Sequence, residues 1–165
     1  GPVGDTAPDY KGAIGVTSEA VEGCDVTVPV FNFTVTKVFA AGSLPNPGTI
    51  FALTGSVNAA PFSVTDSKTG LTITLPAGEC LFMGGRAGGQ RGDGGVEFSY
   101  SFAGSPNKTD IAIGNITVPS KKGWEYLWVR YRDVKDDAAK MLVKRPFAAY
   151  VEKVYPDGAF AGLGL

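Results

Sequence analysis

The sequence contains no histidine, and only two cysteines and two methionines among its 165 residues. Without histidine there is no Ser-His-Asp or Cys-His nucleophile system, no imidazole proton shuttle and no zinc site of the usual mixed type. Cys24 and Cys80 lie in no Cys-x-x-Cys motif and cannot hold a metal alone. They read as two separate structural thiols, since unpaired cysteine is among the most buried residue types. The alternative is one disulfide closing a loop of roughly 55 residues, which chain entropy values at about 4 kcal/mol. Carboxylates are scattered, and no pair of them forms a catalytic motif. No enzymatic activity, cofactor or metal is expected. Strong charge of one sign is also missing: 15 Lys+Arg face 16 Asp+Glu, a net charge of −1. A specific nucleic-acid partner is excluded on that balance. No run approaches the roughly 18 consecutive apolar residues of a membrane helix, so no membrane partner is expected.

What is abundant is glycine and proline, 23 and 11 residues, within a chain that is 44% hydrophobic. That content supports a real core and excludes a disordered tail, a coiled coil or a collagen-like fibre. Candidate strands run over 13–18, 25–39, 49–57, 62–65, 71–75, 80–83, 96–102, 111–118, 124–132 and 147–155. Their Val, Thr and Phe content suits a half-buried pleated surface. Val96, Phe98, Tyr100 and Phe102 alternate with Glu97, Ser99 and Ser101, the clearest period of two in the chain. Pro29 makes the stretch over 25–39 an edge strand or a bent one. One short helix is expected over 138–144, behind the acidic Asp136-Asp137 and stopped by Pro146. The fold class is therefore all-β, an antiparallel sandwich or barrel of about ten strands with at most one short helix. Residues 1–10 read as an extended arm, 11–158 as a single β-rich domain and 159–165 as a flexible tail.

Seven glycines fall within the twelve residues Gly84–Gly95. Their backbone entropy argues against a strand interior and for a loop, either flexible or ordered by a ligand or a neighbouring subunit. The Gly84/Gly89 spacing resembles a phosphate loop, but Gln90 and Arg91 occupy the Lys and Ser/Thr positions, which excludes nucleotide binding. Trp124, Tyr126 and Trp128 share one face of their strand and run on into Arg130 and Arg132. Such an aromatic row with arginines is either a core face or a contact surface. Charge is unevenly spread: residues 1–80 hold 3 basic and 7 acidic side chains (net −4), residues 81–165 hold 12 and 9 (net +3). That asymmetry suits contacts between unlike surfaces of identical subunits.

The segments Phe98-Ser99-Tyr100-Ser101-Phe102-Ala103-Gly104-Ser105-Pro106-Asn107 and Ile111-Ala112-Ile113-Gly114, together with Lys121–Tyr131, Leu142–Pro146 and Tyr150–Tyr155, resemble small phage-like proteins encoded in bacterial genomes. That group comprises virion structural components, among them proteins of tail-tube type. The resemblance implies a self-assembling β-sandwich or barrel in a virion or phage-like particle, whose partners are copies of itself and other virion proteins. The expected subunit interface comprises Trp124, Tyr126, Trp128, Arg130 and Arg132 with Arg86 and Arg91. The rival reading is an extracellular β-sandwich module that binds carbohydrate through the strip Trp124, Tyr126 and Trp128.

Overall fold

A computed structural model describes residues 15–16, 21–25, 29–138 and 140–165. In chain order the elements are β1 (Gly15–Val16), β2 (Val21–Asp25), β3 (Phe31–Phe39), a 3-10 turn at Ala41–Ser43 and α1 (Pro47–Leu53). Next come β4 (Val57–Asn58), β5 (Phe62–Thr65), β6 (Thr72–Leu75), β7 (Cys80–Gln90) and β8 (Val96–Gly104). The remainder is β9 (Lys108–Ile113), β10 (Ile116–Lys121), β11 (Glu125–Asp136), β12 (Met141–Lys153), β13 (Asp157–Gly158) and a 3-10 turn at Phe160–Leu163. The protein is all-β and sandwich-like, and its sheets do not close into a barrel.

Contacts divide the chain expected as one domain over 11–158 into two compact units, residues 1–27 with 107–154 and residues 28–106 with 155–165. In the second unit the sheet order is β13-β4-β7-β8-β3, with the β5–β6 hairpin as a separate two-stranded sheet. Both pack on one aromatic core, built from Phe39, Phe62, Phe82, Phe98, Tyr100, Phe102 and Phe160. The ring of Phe102 lies 5.1 Å from that of Phe33 and 5.1 Å from that of Phe62, so it ties the two layers together. In the first unit the order is β1-β2-β11-β12, and the β9–β10 hairpin forms its own sheet. Val118, Leu127, Val129 and Ala149 make one core cluster of that unit. Among the described residues all ladders are antiparallel except the two-residue pair β4–β13, which is parallel.

Several elements depart from the sequence expectation for local physical reasons. The residues expected as a strand over 49–57 begin as the helix α1. Asn46 caps it by accepting a hydrogen bond from the Gly48 amide at 2.8 Å, and Pro47 presets the first helical turn. The glycine-rich segment is not a loop. Its first part continues β7 to Gln90, and the chain reverses in a turn closed by Arg91 N–H to Gly95 O at 2.7 Å. Glycine serves there as a clearance: a Cβ on Gly85 would lie 2.7 Å from the Tyr100 ring on the adjacent strand. The stretch over 111–118 splits into two strands at Gly114-Asn115, with Gly114 at φ +59°, as a two-residue hairpin turn requires.

The helix expected over 138–144 is instead a turn, with Lys140 at φ +54°, followed by the start of β12. An isolated seven-residue helix is marginal in water, whereas β12 gains a twelve-pair ladder with β11. Pro146 does not stop that strand. It sits where the register shifts beside Tyr131, on the edge strand β12, the setting that tolerates a missing amide donor. The expected tail over 159–165 forms a 3-10 turn with Phe160 and Leu163 buried. The expected strand over 25–39 contributes to two strands, β2 ending at Asp25 and β3 starting at Phe31. The expected arm over 1–10 lies outside the described residues.

Candidate functional site

Most of the side chains expected at an interface line up along β11 but differ in exposure. Trp128 is 0% and Trp124 5% exposed, so both rings are buried. The Trp128 indole N–H points to Glu152 Oε1 at 3.5 Å, across the β11–β12 ladder. These two residues therefore support the sheet, since a buried ring cannot stack on a partner. The carbohydrate strip loses two of its three rings for the same reason; only Tyr126 is half-exposed. Further along, Arg130 and Arg132 place their guanidinium groups 5.5 Å and 5.0 Å from the centroid of Phe147. Arg132 is exposed and Arg130 half-buried. Arg86 on β7 and Arg91 in the β7–β8 turn are exposed and belong to the other unit.

Beyond these residues β11 and β12 continue as a two-stranded ribbon. Strand β2 pairs with β11 only from Leu127 to Tyr131. From Arg132 and Arg145 outward, no other described strand joins the ladder. One cross-strand ion pair, Lys144 to Asp133 at 2.8 Å, spans the ribbon. Its tip carries Met141 at 57% and Leu142 at 66% exposure. The helix expectation hid this feature, because alternation over 141–145 is visible only once the partner strand is known.

The second feature missed in the sequence is the outer edge of β3. This strand pairs with β8 residue for residue from Phe31 to Phe39 without a bulge, and no described strand pairs with its other side. Beside it runs a groove of about 700 Å³, between β3 residues Phe33–Lys37 and the β5–β6 hairpin. Its apolar lining includes Val35, Val64, Leu71, Ile73 and Leu165. Lys37 stands at this groove with its ammonium donating to the Gly164 carbonyl at 2.8 Å.

The titrating groups near these features are structural. Asp66, in the β5–β6 turn, has its carboxyl held below the usual range by the Lys68 backbone N–H and the Thr69 hydroxyl. Burial pushes the Cys80 thiol up to about 12. Burial also raises Tyr100, whose hydroxyl sits in the core without a hydrogen-bond partner. No disulfide forms among the described residues, and none of their His, Cys, Asp or Glu side chains group in threes as a metal site would need. No described helix is long and apolar enough to cross a membrane. No protein family, curated protein or solved structure matches the chain.

Proposed function

We propose that this chain is a non-enzymatic structural subunit that assembles with copies of itself into a component of a phage or phage-like particle. The observation that carries the reading is the distal β11–β12 ribbon. A two-stranded ribbon by itself is marginally stable in water. Here it extends for ~17 Å past the last β2 pairing and ends in the exposed apolar residues Met141 and Leu142. Large apolar side chains exposed at the end of a strand pair favour contact with another chain. Arg130 and Arg132, both over the Phe147 ring, stand at the base of this ribbon, and arginine with aromatic side chains is enriched where such contacts form. The particle setting comes from the resemblance of the segments within 98–155 to virion proteins.

Sedimentation velocity with electron microscopy of the purified protein tests the reading. Rings, tubes or defined oligomers are expected. Leu142→Asp, which charges the apolar tip without touching either core, is expected to shift the population toward the monomer. A wild-type protein that stays a monodisperse monomer at high concentration would refute the assembly role.

A further inference from the structure

From the edge of β3 we infer a specific contact: two copies pair their β3 strands antiparallel about a two-fold axis through Val35, forming one continuous sheet. The inference deepens the assembly reading and rests on it. Edge strands in soluble proteins are ordinarily blunted by proline, bulges, brevity or several charges. This one is nine residues long, contains no proline, runs without a bulge and carries one charge, Lys37. Apolar side chains are left exposed beside it: Val30 at 67%, Phe31 at 41% and Val38 at 40%. Its backbone polar groups on the side away from β8 offer a template for a further strand, because an antiparallel ladder uses only alternate residues on each side.

The identity of the occupant follows from the order of residues in the strand. Phe31-Asn32-Phe33-Thr34-Val35-Thr36-Lys37-Val38-Phe39 is nearly symmetric about Val35. Set antiparallel against itself at that centre, Val35 faces Val35, Phe31 faces Phe39 and Phe33 faces Lys37 on the core side. On the outer side Thr34 faces Thr36 and Asn32 faces Val38, each twice. Aromatic pairs and threonine pairs are the favourable cross-strand combinations, and a self-complementary patch is what a two-fold contact requires. The groove beside the edge fits the same arrangement. The incoming strand would lie along Phe33–Lys37, a length of about 14 Å, below the β5–β6 hairpin. Its core-facing side chains would then cover Leu71 and Ile73, which are 72% and 40% exposed in the isolated chain. Ile73 faces the same way as Leu75 and Val64, toward the core, so its exposure marks a missing neighbour.

Two sets of variants test the pairing. Val35→Cys places one thiol opposite its symmetry mate, and mild oxidation is expected to give a covalent dimer, mapped by peptide mass spectrometry to position 35 in both chains. T34K/T36K puts like charges face to face at both threonine pairs, positions that are exposed in the isolated chain. Its self-association is expected to weaken by about tenfold or more. T34E/T36E is expected to behave likewise alone, and mixing the two variants is expected to restore association as a heterodimer. Oligomers that withstand both charge variants, with no cross-link through V35C, would overturn the two-fold pairing and leave self-assembly standing. A wild-type chain that is monomeric at about 1 mM would overturn both.

Discussion

Asn58 is the side chain whose loss should cost the second unit most for the fewest atoms removed. It is 1% exposed. Its Nδ2 donates to the carbonyls of Ala60, Leu75 and Pro76 at 2.9, 3.1 and 2.9 Å. Its Oδ1 accepts from the amides of Gly78 and Cys80 at 3.1 and 2.9 Å. One amide group thus fastens the end of β4 to the end of β6 and the start of β7, and holds the hairpin that roofs the groove beside β3. Asn58→Ala leaves carbonyls and at least one amide buried without these partners. The two Nδ2 hydrogens are shared among three carbonyls, so the five contacts amount to four full hydrogen bonds; at a net ~1 kcal/mol each the loss is about 4 kcal/mol, a large share of the roughly 5–15 kcal/mol typical of a domain. With a urea m-value near 2 kcal/mol/M, the midpoint should fall by about 2 M. Asn58→Asp should be no better, because its carboxylate offers acceptors to three carbonyl oxygens. Equilibrium urea unfolding followed by circular dichroism measures both variants. A loss below about 1 kcal/mol for Asn58→Ala would show that water or local relaxation replaces the side chain, and would refute the reasoning.

Three further outcomes are expected. Trp128→Ala, which empties a fully buried ring site, should destabilise by about 3–5 kcal/mol, and Trp128→Phe by clearly less, in the same denaturation assay. Cys80, with its thiol pushed up to about 12, should resist thiol reagents in the native protein at pH 8 and react on unfolding, as mapped by mass spectrometry; rapid native labelling would contradict its burial. Because its folded value lies above the unfolded one, its contribution to stability is intact below about pH 8.5 and declines as pH rises beyond it. For Asp66 the sign is opposite. Its lowered folded value means that the turn gains stability above the unfolded value of about 4 and loses it as pH falls through the folded one. NMR titration of the Asp66 carboxyl should show the depressed value, and Thr69→Ala should bring it part of the way back.

The all-β class was legible in the chain because period-two alternation is a local property: Phe98, Tyr100 and Phe102 are buried, as their spacing alone implies. Histidine's absence likewise needs no structure to exclude imidazole chemistry. Pairing is another matter. Whether 84–90 is a loop or a strand depends on β8, which supplies its ladder, and on Tyr100, whose ring leaves no room for a side chain at Gly85. Residues 141–144 have acceptable helical composition, and only the twelve-pair ladder with β11 outweighs it. The small clue at 46–48 was available, since Asn-Pro-Gly is as good a helix cap as a turn, but the apolar run behind it reads equally as strand. Along β11, strand alternation places Tyr126 and Trp128 on one face, with Trp124 in the turn before the strand, yet no local rule tells a buried face from one turned to a neighbour. The near-symmetry of β3 about Val35 is written in the sequence; that the strand lies at an open edge, where such symmetry has a use, was decided by the tertiary structure, because an edge exists only relative to the strands that pair and those that do not.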